Sequence, residues 1–129
     1  MLASSVCSDS QISMPFPSTQ PDARGRFGTR LRSARKTAGL TQQQLGIEIG
    51  LEIDVAATRI NRYERGVHDP DSATAQQLAD RLGMPLAYFY SDNDALAEAI
   101  LMFAGLSPDQ QKEALEALKL VASRASTGD

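Results

Sequence analysis

The sequence predicts an all-α fold, and three observations carry that expectation. Apolar residues recur every three or four positions in seven successive segments, the spacing that lines one side of a helix. Each segment is bracketed by helix punctuation: Ser, Thr, Asp, Asn or Pro at its start, or Gly at its end. No segment alternates apolar and polar residues over the length of a strand.

Residues 1–23 hold six serines and three prolines (Pro15, Pro17, Pro21) with few large apolar side chains, too little to offset the entropy of ordering, so they read as a disordered arm. From Phe27 the pattern changes. Phe27, Leu31, Ala34 and Ala38 share one side of helix 1, which Gly39 stops. Thr41 opens helix 2 as an N-cap, Gln44 completes a capping box, Leu45 and Ile49 form the buried edge, and Gly50 ends it. Asp54 is a suitable N-cap for helix 3, running from Val55 to Arg65 and closed by Gly66. Asp69-Pro70-Asp71 makes a turn, then Ala75, Leu78, Ala79 and Leu82 mark helix 4, stopped by Gly83. Pro85 starts a short helix 5 with Leu86 and Phe89. After Ser91-Asp92-Asn93-Asp94, helix 6 carries Leu96, Ile100 and Phe103 and ends at Gly105. Ser107-Pro108 with Gln110 opens helix 7, whose edge is Leu115, Leu118 and Val121 or Ala122, with Ser123 to Asp129 fraying. The domain boundaries follow: an arm over 1–23, a compact helical unit over 24–91, and a helical extension over 92–129.

The formal net charge of -3 is unevenly distributed. Residues 24–68 hold nine basic residues against four acidic ones, a local balance of +5, and the remainder carries -8. Attraction to a phosphate backbone is local and screened, so a basic region matters more than the overall sign. A single cysteine, Cys7, offers neither an internal disulfide nor a metal cluster. No run is long and apolar enough for a membrane span or shaped like a signal peptide, so a cytoplasmic protein is expected. The lone His68 has no nucleophile arranged around it, no enzyme is expected, and no cofactor or metal is implied. Asp92-Asn93-Asp94 resembles the start of a calcium loop but lacks its glycine and distal glutamate, and Gly25-x-x-Gly28 is too short for a nucleotide fingerprint.

Two short helices joined through a turn, the second rich in polar and basic residues, form the arrangement in which one helix crosses a DNA backbone while the other enters the major groove. At about 100° per residue, placing Ile60 at the core of helix 3 turns Thr58, Arg62 and Arg65 to the opposite side, flanked by Asn61 and Val55. These are residues suited to base edges, since arginine pairs with guanine, asparagine with adenine, and a threonine methyl touches thymine. Glu64 falls near the apolar edge instead, where a carboxylate needs a partner. Arg35 lies at a similar offset on helix 1, so an Arg35–Glu64 ion pair between helices 1 and 3 is expected.

The run Leu31-Arg32-x-x-Arg35-Lys36-x-x-Gly39-Leu40-Thr41-Gln42-x-x-Leu45, then Ile60-x-x-Tyr63-Glu64-Arg65-Gly66-x-x-x-Pro70, then Leu78-Ala79-x-x-Leu82-Gly83, resembles the Cro/C1 (XRE) family of bacterial and phage regulators. The likeness covers residues 26–90 and says nothing of the arm or the last two helices. It implies a five-helix, lambda-repressor-like helix-turn-helix domain that binds double-stranded DNA, to which periodicity adds the two extra C-terminal helices. It implies that Gln42 contacts phosphate and braces the first base contact. Ala57, Thr58 and Arg62 match the family's base-reading positions, Asn61 and Arg65 lie at the edges, and Arg35 and Glu64 match its ion pair. The wheel leaves Ala57 partly inward. Three departures stand out. Gly50 to Ile60 is ten residues where the family uses about six, which makes Leu51-Glu52-Ile53-Asp54 an apparent insertion and leaves open whether helix 3 begins earlier. Gly46 replaces a usual alanine, and Ile47 a usual polar residue, with packing under the longer turn as its expected role.

One short recognition helix reads few base pairs, so a homodimer is expected, and the resemblance implies a transcriptional regulator, expected to act as a repressor. Leu96, Ile100, Phe103, Leu115 and Leu118 would form its interface, unless helices 6 and 7 fold back on the domain. The alternative is an antitoxin or adaptor that holds a partner protein through residues 92–129.

Overall fold

In the computed structural model, which describes residues 23–127, seven helices follow one another and no strand occurs among the described residues. Helices α1 (Ala23–Thr37), α2 (Gln42–Glu48), α3 (Ile53–Glu64), α4 (Ser72–Leu82) and α5 (Leu86–Tyr90) enclose one core. Helices α6 (Asp94–Ala104) and α7 (Pro108–Thr127) follow. The expected arm and Cys7 lie outside the described residues, except that Ala23 already belongs to α1.

The core is filled by Phe27 and Leu31 of α1, Leu45 of α2, Ile60 of α3, Leu78 of α4 and Phe89 of α5, all fully buried. Phe27 stacks at a tilt on Phe89, with ring centroids 5.3 Å apart, and on Tyr90 at 5.2 Å, which fastens the first helix to the fifth. Ala38, expected on the buried side of α1, is exposed because it follows the last helical residue.

Local chemistry explains where these helices start and stop. The Thr41 hydroxyl accepts the Gln44 N–H at 3.0 Å while the Gln44 side chain accepts the Thr41 N–H at 2.8 Å, a complete capping box for α2. Asp71 caps α4 by accepting the Thr74 N–H at 2.8 Å, and Gly83 ends that helix in the left-handed conformation.

The two helices of the turn are joined differently from the sequence expectation. Helix α3 starts at Ile53, not Val55, and its N-cap is Glu52, whose side chain makes no capping hydrogen bond, not Asp54. Of the four residues that read as a lengthened turn, Ile53 and Asp54 therefore open a twelve-residue α3, while Leu51 and the N-cap Glu52 stay outside it. The change of direction is made by Gly50, at φ +97°, with the Leu51 N–H returning to the Gly46 carbonyl at 2.9 Å. Ile47 does not pack under this turn, being 43% exposed.

Helices α2 and α3 approach closely at Gly46, where a Cβ would stand 2.6 Å from the Ala56 Cβ. Gly28 plays the same part between α1 and the end of α3, where a Cβ would fall 2.3 Å from the Glu64 carbonyl oxygen. Both glycines are buried, and each lets one helix backbone lie against another.

Beyond α5, the Asn93 side chain caps α6 by accepting the Leu96 N–H at 2.8 Å. Helix α6 folds back on the domain, burying Ala97 in the core and packing Ile100 and Leu101 against it, so Ile100 is not free for the expected interface; Phe103 is half-buried and Leu96 faces outward. Helix α7 is capped reciprocally by Ser107 and Gln110, and continues to Thr127, past the expected fraying point at Ser123. Its expected apolar edge does not fold back: Leu115, Leu118 and Val121 are exposed, as are Ala122 and Leu120. No described helix is long and apolar enough to cross a membrane.

Candidate nucleic-acid interface

Helix α3 buries Ala56, Ile60, Tyr63 and Glu64 against the rest of the domain. Thr58, Arg62 and Arg65 are exposed on the other side, Asn61 is half-buried at one flank, and Ala57 is half-buried toward the core. The structure thus brings Thr58, Asn61, Arg62 and Arg65 onto one face and leaves Ala57 beside it. Arginine, asparagine and threonine supply donors, acceptors and a methyl group for base edges or phosphates.

The face is held at its angle by an ion pair behind it. Arg35 Nε lies 2.5 Å from Glu64 Oε2, and Arg35 Nη2 donates to Glu64 Oε1 at 3.1 Å, a two-pronged contact between α1 and α3. Both side chains are nearly sealed from water, at 10% and 3% exposure. The remaining guanidinium nitrogen, Nη1, donates to the Leu40 carbonyl at 2.9 Å, so the turn between α1 and α2 is fastened by the same group.

Gln42 completes this network. Its Nε2 donates to Glu64 Oε1 at 3.0 Å, so one N–H is committed within the protein and the other, with the amide oxygen, stays available. Periodicity assigned Gln42 to the first turn of α2 but gave no sign that it would share Glu64 with Arg35. Arg32, Arg35, Gln42, Asn61, Glu64 and Arg65 together line an open concavity of about 230 Å³ where α1, α2 and α3 meet. Arg32, which no helical-wheel reasoning singled out, reaches it because it lies one turn before Arg35 on α1.

The basic region divides into exposed charges and charges committed within the protein. Arg30 turns inward, donating to the Ser91 carbonyl at 3.2 Å, pairing with Asp94 at 3.6 Å and lying over the Tyr88 ring. Arg24, Arg32, Lys36, Arg59, Arg62 and Arg65 remain exposed. His68 is exposed in the loop after α3, Asn93 caps α6, Asp94 pairs with Arg30, and Asp92 is exposed. Among the described residues no cluster of three metal-ligating side chains occurs.

A model of the helix-turn-helix family matches residues 31–89, from the middle of α1 to the end of α5. Over 72% of its length this chain is also 43% identical to the transcriptional regulator BswR, covering 92% of that crystal structure with a TM-score of 0.68. The chain belongs to the XRE-type helix-turn-helix family. Two HTH-type transcriptional regulators, uncharacterized proteins of Sinorhizobium medicae and Rhizobium meliloti, are each 28% identical to it over 65 residues. That stretch is 50% of this chain but only 44% of either relative, so the chain spans less than half the length of the curated proteins it matches. A hypothetical transcription factor from Neisseria shares the fold at 20% identity, with a TM-score of 0.54 over 64% of this chain. Within this family the helix-turn-helix pair is α2 and α3.

Proposed function

We propose that this protein is a sequence-specific regulator that binds double-stranded DNA with α3 in the major groove and represses by occupying its site in the cytoplasm. The observation that carries the proposal is the exposed face of Thr58, Arg62 and Arg65 with half-buried Asn61 at its flank, backed by the Arg35–Glu64–Gln42 network. Thr58 and Arg62 take base edges, Asn61 and Arg65 take bases or the adjacent backbone, and Ala57 offers a small contact at the flank. Gln42, with its free N–H, takes phosphate, and Arg32 beside it adds a positive charge. The unit from residue 24 to 91 carries this activity, and residues 92–129 carry assembly.

The protein acts as a homodimer in this proposal. Leu96 and Met102 of α6 and Leu115, Leu118 and Val121 of α7 are exposed, more apolar surface than a solitary helix pair is expected to leave in water. A two-fold pair of reading heads doubles the length of DNA recognised. A monomer that co-purifies with a second small protein would instead favour the adaptor role.

Selection from a random duplex pool tests the function. One sequence motif is expected to be enriched, and its binding is expected to weaken steeply with added salt. Arg62→Ala is expected to lower affinity for the selected site by about five- to 150-fold while leaving random duplex nearly unaffected. An equal loss on both duplexes would assign Arg62 to phosphate, and failure to enrich any motif would overturn sequence-specific binding.

A further inference from the structure

Ile53 and Asp54, the two residues by which α3 begins earlier than Val55, lengthen its outward face beyond Thr58. At about 100° per residue, Asp54 lies about 40° from Thr58 and about 20° from Arg65, on the same side of the helix as both. Along the axis it precedes Thr58 by about 6 Å, close to two base-pair steps. The Asp54 side chain is exposed, and no hydrogen bond or ion pair within the described residues engages its carboxylate. It does not cap the helix, since Glu52 holds that position. A recognition helix inserts its N-terminal residues toward the base edges, and the positive end of the helix dipole offsets part of the repulsion between a carboxylate and the phosphates.

Resting on the DNA-binding function proposed above, we infer that Asp54 is a base-reading residue whose carboxylate accepts a hydrogen bond from the N4 amino group of cytosine in the major groove. An ionised carboxylate is acceptor-only. Guanine presents two acceptors there, thymine an acceptor and a methyl group, and adenine an acceptor beside its amino group. Cytosine alone offers a donor without an acceptor on the same base, so a carboxylate at this depth selects it.

Full-length parent, Asp54→Asn and Asp54→Ala are each put through selection from the same random duplex pool, and each is then titrated with the parent's best site and its single-base variants. The parent is expected to prefer cytosine at one position at the edge of the motif by about five- to 150-fold. Asp54→Asn is expected to move that preference to adenine, because an amide donates to N7 and accepts from N6, while the other positions stay as they were. Asp54→Ala is expected to accept all four bases there. Both variants should bind random duplex at least as tightly as the parent, since a negative charge facing phosphates is gone. A purely structural role for Asp54 would change the melting temperature and leave the selected bases alone. Identical motifs from parent and variants would overturn the inference while leaving DNA binding intact. A parent that enriches no motif would overturn both.

Discussion

Replacing Glu64 by glutamine keeps the side chain's shape and removes its charge, which isolates what the buried network contributes. In the parent, Glu64 Oε1 accepts from Arg35 and from Gln42, and Oε2 accepts from Arg35 again. All three partners are donors, so an amide must turn one N–H against a donor whichever way it is flipped. Arg35 would keep the Leu40 carbonyl and lose its counter-charge in a site where its side chain is only 10% exposed. Removing one partner from a buried pair costs about 3–5 kcal/mol, and the contacts that glutamine retains favour the lower figure. At about 4–8 °C per kcal/mol for a domain of this size, a loss of about 3 kcal/mol lowers the melting temperature by at least about 12 °C. Thermal unfolding followed by circular dichroism, parent against variant, reads the shift. A melting temperature within about 2 °C of the parent's would mean that the pair does not hold α1 to α3, and the network would have to be discarded as the element that sets the angle of α3.

Gly46→Ala is expected to destabilise, although alanine is the better helix former. The added Cβ meets Ala56 at 2.6 Å, and ordinary carbon contact needs about 3.5–4.0 Å, so α2 and α3 must separate by about 1 Å. Overpacking costs about 1–3 kcal/mol against a propensity gain of about 1 kcal/mol, a net loss of up to about 2 kcal/mol; a raised melting temperature would show that the helices are not in close contact there. Leu115→Glu together with Leu118→Glu should convert a dimer to a species of 13.9 kDa by light scattering at micromolar concentration, and a parent already monomeric would remove α7 as an interface. The Asp71 carboxyl is held below its usual range by the Thr74 backbone N–H, then by the Thr74 side chain, so ionised Asp71 stabilises the fold above the unfolded carboxylate's pKa. That contribution is lost as pH falls from about 4 through the lower folded value, and melting curves between pH 6 and pH 2 should show a steeper acid decline for the parent than for Asp71→Asn.

Much of this architecture is legible in the sequence because it is written in local chemistry. Thr41 and Gln44, Asp71, Asn93, and Ser107 with Gln110 mark helix starts through hydrogen bonds that span three residues, and Gly39 and Gly83 mark helix ends through a backbone conformation that favours glycine. The outward face of α3 is equally local, since periodicity alone puts Arg62 opposite Ile60. The start of α3 is not written locally, because Asp54 is a better cap by residue type than the Glu52 actually used.

The sequence by itself determined the helical class, the order of the helices, most of their ends and the residues that α3 turns to solvent, because these depend on interactions within about four positions along the chain. Tertiary structure decided what depends on distant backbone meeting distant backbone. The closeness of Gly46 to Ala56 shows why a glycine stands in α2, and that of Gly28 to the Glu64 carbonyl why one stands in α1. The sharing of Glu64 between Arg35 and Gln42 required three helices to converge. The packing of α2 on α3, which accompanies the start of α3 at Ile53, is likewise contained in no local signal.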